Sequence, residues 1–71
     1  MTTVVDARGL EPPEPLERAM EALADLPAGG RLTVLLDRMP WPFLRILDRD
    51  GYQYEHQIRD DGTVEIGITA P

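Results

Sequence analysis

The sequence predicts an α/β fold of the two-layer α+β sandwich type: element order βαβαββ, with a mixed four-stranded sheet carrying two helices on one face. Three observations predict it. Leu16, Ala19, Met20 and Leu23 recur at i, i+3, i+4 and i+7, the signature of a helix with one apolar face. Residues 31–37, RLTVLLD, form an almost continuous apolar run between a glycine pair and Pro40, as in a central strand. The last third alternates with period two on either side of Asp60-Asp61-Gly62, as in a hairpin.

Each element has its own start and stop signals. Residues 3–7 are short and β-branched and run into Arg8-Gly9, which reads as a first strand entering a loop. In the first helix Pro15 suits the first helical position, where a missing N–H costs nothing, and Glu14 and Glu17 favour the positive end of the helix dipole. Leu26 extends its stripe before Pro27 and Gly29-Gly30 stop it. In Met39-Pro40-Trp41-Pro42 each residue before a proline is pushed toward extended conformations, so the second helix is expected to begin only at Pro42. Phe43, Leu44, Ile46 and Leu47 give it a two-turn apolar stripe, and Gly51 supplies a left-handed C′ residue. In the hairpin, Tyr52, Tyr54, His56 and Ile58 share one face and Gln53, Glu55, Gln57 and Arg59 the other; Val64, Ile66 and Ile68 alternate with Glu65, Gly67 and Thr69. A βαβ crossover makes the first two strands parallel. Their C-terminal ends and both helix starts then share one edge, where open α/β sheets gather ligands.

Composition bounds the function. The 71 residues make a single domain, spanning 1–71, with a thin core. There is no cysteine, so disulfides, thiolate metal sites and thiol chemistry are excluded together. A net charge of −6, with all seven basic residues arginine and scattered, opposes nucleic acid and acidic lipid. The N-terminal residues carry no basic region and no apolar run, and no window approaches a membrane span, so the expected location is cytoplasmic.

The stretch Asp6-Ala7-Arg8-Gly9-Leu10-Glu11-Pro12-Pro13-Glu14-Pro15 resembles the signature of the small sulfur carriers of the TusA/SirA type, roughly Asp-x-Arg-Gly-Leu-x-Cys-Pro-x-Pro. The resemblance covers most of the chain and implies the same βαβαββ fold. It departs at Pro12, which stands where that family has its persulfide-forming cysteine. Proline has neither sulfur nor N–H, so sulfur relay through this residue is excluded. Together with Asp37-Arg38-Met39-Pro40-Trp41-Pro42, the proline-rich stretch is more similar to a related family of small bacterial domains that lack the cysteine and have no established function.

The candidate site is therefore the edge formed by residues 8–15 and 37–42, with Arg8, Glu11, Pro12, Pro13, Asp37, Arg38 and Trp41 as ligand- or partner-binding residues and no catalytic or metal-ligating set. Arg8 and Arg38 beside two helix starts suit a small anion or a partner's carboxylate. The plainer reading pairs Arg8 with Asp6 or Asp37 and leaves Arg38 in solvent. Trp41, between two prolines, is either an exposed partner anchor or a staple over the core. His56 lacks a second metal-ligand partner and is expected as a hydrogen-bonded histidine at the core rim. Asp48-Arg49-Asp50-Gly51 fails as a calcium loop because Ile46 and Gln57 occupy its first and last ligand positions. Pro12, Pro13 and Pro15 lower the entropy lost on folding and present a stiff, extended surface ready for recognition. The expected function is a noncatalytic interaction or small-ligand module without cofactor, binding a protein partner or small anion, as a monomer or weak homodimer. The alternatives are an enzyme or enzyme subunit using Asp37, Arg38 and His56 in one pocket, and a structural or dimerisation domain.

Overall fold

The computed structural model describes residues 2–71. Its elements run β1 (Thr2–Asp6), α1 (Glu14–Ala24), β2 (Arg31–Leu36), α2 (Trp41–Arg49), β3 (Gln53–Ile58) and β4 (Val64–Thr69). The sheet order is β1-β2-β4-β3, with β1 parallel to β2 and the other two pairings antiparallel. The expected two-layer sandwich is thus the observed one.

The apolar run of β2 suits the interior of the sheet, where β2 and β4 each have a partner on both sides and a helix layer above. Leu32, Val34 and Leu36 are buried beneath α1 and α2, and Ile66 and Ile68 of β4 stand beside them in register. Phe43 and Leu47 of α2 and Ala19 and Leu23 of α1 close the core from the helix side. Leu35 points to the opposite, open face and is still 7% exposed. Its register neighbours are Asp6 and Glu65, each bonded to an arginine, and the apolar stems of Arg8 and Arg59 are suited to shield such a residue.

Two helix starts differ from expectation by one residue. Helix α1 begins at Glu14, placing Pro15 second, and α2 begins at Trp41 rather than Pro42. The first turn of a helix has no intrahelical use for its N–H groups, so proline is tolerated at the second position as well as the first. The end of α2 is as expected: Gly51 has φ +82°, Tyr52 N–H donates to Leu47 O and Gly51 N–H to Asp48 O, a complete Schellman motif. The β3–β4 connection is a three-residue loop closed by Arg59 N–H to Thr63 O and Gly62 N–H to Arg59 O, with Gly62 at φ +90°.

The face shared by Tyr52, Tyr54, His56 and Ile58 divides along its length. Tyr52 and Tyr54 pack on the core, and Tyr54 Oη donates to Asp48 at the end of α2, which raises the phenol pKa. Further along the edge strand His56 is exposed and Ile58 is 60% exposed. His56 is therefore a surface residue with no hydrogen bond from its ring among the described residues, not the bonded core-rim histidine the alternation suggested.

Candidate functional site

Parallel pairing of β1 and β2 brings the loops that follow them to one rim, beside the starts of α1 and α2. The two loops are tied together. Asp37 Oδ2 accepts the Gly9 N–H at 2.7 Å, with Gly9 at φ +77°, a conformation that disfavours a side chain. Ala7 N–H donates to Leu35 O at 2.9 Å and carries the β1–β2 ladder one step further toward the rim.

Between the loops lies a cleft of about 410 Å³. Ala7, Ala19, Leu36 and Phe43, all buried, form its floor. One wall comes from the first loop and α1 (Leu10, Pro12, Pro13, Pro15, Leu16), and the other from the second loop (Met39, Pro40, Pro42). Asp37 and Arg38 are the two charged residues of the lining.

The prolines decide what this cleft can bind. Five of them line it, and none has an N–H. Where a helix start ordinarily presents free donors to an anion, the caps here are Pro13 and Pro40, and neither helix has a side-chain cap. Four further amides at the rim are engaged: Glu14 N–H with Glu11 O, Glu17 N–H with Pro13 O, Trp41 N–H with Met39 O and Leu44 N–H with Pro40 O.

The charged candidates sort accordingly. Arg8 grips Asp6 through Nε and Nη2 at 2.8 and 2.7 Å, and the same carboxylate accepts the Arg8 backbone N–H. These bonds, the side-chain ones foremost, lower the Asp6 pKa to about 2. Arg8 thus belongs to an ion pair on the open sheet face and does not line the cleft. Glu11 is exposed beside the mouth and bonds through its carbonyl. Pro12, Pro13, Asp37 and Arg38 are brought together in the lining. Trp41 is 62% exposed, outside the lining but between two of its prolines. The staple position over the core is left to its neighbour Phe43.

His56 does not join Asp37 and Arg38. It sits in mid-β3, the edge strand, with β4 between it and β2, roughly 10 Å away at ordinary strand spacing. The shared Asp37, Arg38 and His56 pocket does not form. Sequence reasoning also missed the residues that make the cleft apolar: Leu10, Leu16, Met39 and Phe43. The available signal was Leu10 and Met39, apolar residues placed in proline-rich loops where polar ones are usual.

A model of the family described as uncharacterized conserved protein (DUF2249) matches residues 4–70. The crystal structure of a SirA-like protein from Desulfitobacterium hafniense is similar at 38% identity, over 99% of this chain and 97% of that one, with a TM-score of 0.83. Among curated proteins none matches.

Proposed function

Since the chain belongs to the uncharacterized DUF2249 family, as a cysteine-less relative of SirA-like proteins, we propose that it is a noncatalytic binding module whose rim cleft receives an apolar side chain of a protein partner. The observation that carries this reading is the lining itself. It contains no hydroxyl, thiol, amine or imidazole, and its walls are proline, leucine and methionine. Such a surface gains free energy by excluding water, at about 25 cal/mol per Å² of apolar area covered, and beyond the single guanidinium of Arg38 has little with which to hold an anion or activate a nucleophile.

A protein side chain suits the cleft better than a free small molecule because the apolar surface continues outside it. Trp41 stands exposed on the adjoining turn, where a partner's main chain would run past the mouth. Exposed tryptophan next to a pocket is the usual composition of an interface anchor. The proline-braced walls add little ordering cost on binding.

The test is selection of displayed protein fragments from the source genome against the wild-type chain, with a Leu16→Glu variant as counter-screen. Leu16 is part-exposed on the cleft wall, so the charge enters the site without entering the core; circular dichroism confirms the fold. Fragments that bind the wild type and lose the variant are the expected result. Fragments that bind both equally, or no enrichment at all, refute the reading.

A further inference from the structure

Resting on that reading of the cleft, we infer that the partner segment is cationic: one aromatic or long aliphatic side chain for the cleft, flanked by lysine or arginine. The charge around the mouth carries the inference. Glu11, Glu14 and Glu17 each stand next in the chain to a lining residue, all three are exposed, and none is in an ion pair among the described residues. Asp37 adds a fourth carboxylate in the lining. Against these, Arg38 is the one arginine of the lining, Arg8 beside Ala7 is paired with Asp6, and Arg18 and Arg45 of α1 and α2 lie outside the lining, Arg18 at a separate hollow against Thr3 and Val5. The other salt-bridged arginines, Arg31, Arg49 and Arg59, are held elsewhere by Glu55, Asp50 and Glu65.

The net charge of −6 is thus concentrated in part on the rim of an apolar hole. A partner with acidic flanks meets net repulsion there, only Arg38 opposing it, and a neutral one leaves the rim carboxylates without partners. A basic one is steered to the mouth and pairs with them. Trp41 adds to the same preference, since the face of an exposed indole attracts a guanidinium or ammonium.

The experiment is selection of random linear peptides on the intact protein, followed by affinity measurements with the wild type, the Leu16→Glu variant and a Glu11→Gln, Glu14→Gln, Glu17→Gln triple variant. The neutral replacements lie on the exposed surface and leave the core untouched. Peptides with basic residues around one apolar residue are expected, binding roughly tenfold more weakly to the triple variant, as three rim pairs of ordinary strength imply, and weakening further with salt. Cleft-dependent peptides that are neutral or acidic, or that bind the triple variant as well as the wild type, overturn the cationic assignment while leaving the cleft as the binding site. Failure to select any peptide sensitive to Leu16→Glu overturns both.

Discussion

Pro12→Cys puts a thiol back at the position where the sulfur carriers keep theirs, and asks whether the surroundings still suit an anion. Cysteines at functional helix starts have pKa values of roughly 3.5–7.5, against about 8.5 for a free side chain. Here the balance differs. The dipole of α1, of the usual 0.3–1 kcal/mol at an exposed helix start, lowers the pKa by about 0.2–0.7 at 1.36 kcal/mol per unit. Glu11, Glu14 and Asp37 act the other way; a carboxylate about 8 Å off in water contributes about 0.5 kcal/mol before salt screening. Direct donors, which produce the large depressions, are few, because Pro13 and Pro15 have no N–H and the Glu14 N–H is taken by Glu11 O at 2.9 Å.

The introduced thiol is therefore expected to titrate within about half a unit of the free value. The assay is the pH dependence of alkylation by iodoacetamide, with midpoint read from the rate. Adding Pro13→Ala to the same chain restores one N–H at the α1 cap and lowers that midpoint by about one unit, the scale of a single hydrogen bond to a thiolate. A midpoint below about 7 in the single variant refutes the claim that the prolines have stripped the rim of its affinity for anions.

Other consequences are local. By NMR titration Asp6 should show a midpoint near 2, and Arg8→Ala should return it toward 3.8. Because its folded pKa lies below the unfolded one, the pair's contribution to stability is present above about pH 4 and is lost as pH falls toward 2; acid unfolding unchanged in Arg8→Ala would contradict the pairing. Asp37→Ala removes the acceptor of the Gly9 N–H, and hydrogen exchange at Gly9 should quicken roughly tenfold, equivalent to about 1.4 kcal/mol for a bond to a charged group; unchanged exchange would show that the loops are held otherwise. Gly67→Ala should stabilise the fold by about 0.5 kcal/mol, since glycine in a strand interior is entropically costly. The new Cβ meets only the flexible end of Glu55, at 2.7 Å from Oε1, and displaces it from an exposed bridge to Arg31 that contributes little; a lowered melting temperature would mean that bridge matters more.

Most of the fold was legible because its signals are local and agree with one another. The helical stripe of α1, the apolar run of β2 and the Asp60-Asp61-Gly62 turn each name their element, and Gly51 marks the end of α2 through the positive φ that position needs. The misplaced start of α2 arose from treating the residue before Pro42 as barred from the helix, although at a helix's first residue that restriction is weakest in consequence. Alternation correctly put His56 on the helix-facing side of β3, but alternation reports a face and not its cover. Whether a helix extends far enough over an edge strand to bury that face depends on the length and docking of α2, and α2 ends above Tyr54.

For the candidate site, the meeting of its two loops was legible and the chemistry of the rim was not, for a physical reason. That both loops reach one rim follows from parallel pairing, which sequence order fixes. What the rim could bind depends on which donors remain free, and that is decided by hydrogen bonds formed only in the fold: Arg8 folds back on Asp6, Asp37 reaches across to Gly9, and four of the rim amides turn to nearby carbonyls. Two arginines beside two helix starts suggest an anion site. With one of them paired and both caps proline, what is left is an apolar hollow with acidic shoulders. Replacing a cysteine by Pro12 in a proline-rich loop thus does more than delete a nucleophile. It also withdraws an amide from the place where a negative charge would have to be stabilised, which favours the proposed occupant, an uncharged group with positive charge on either side.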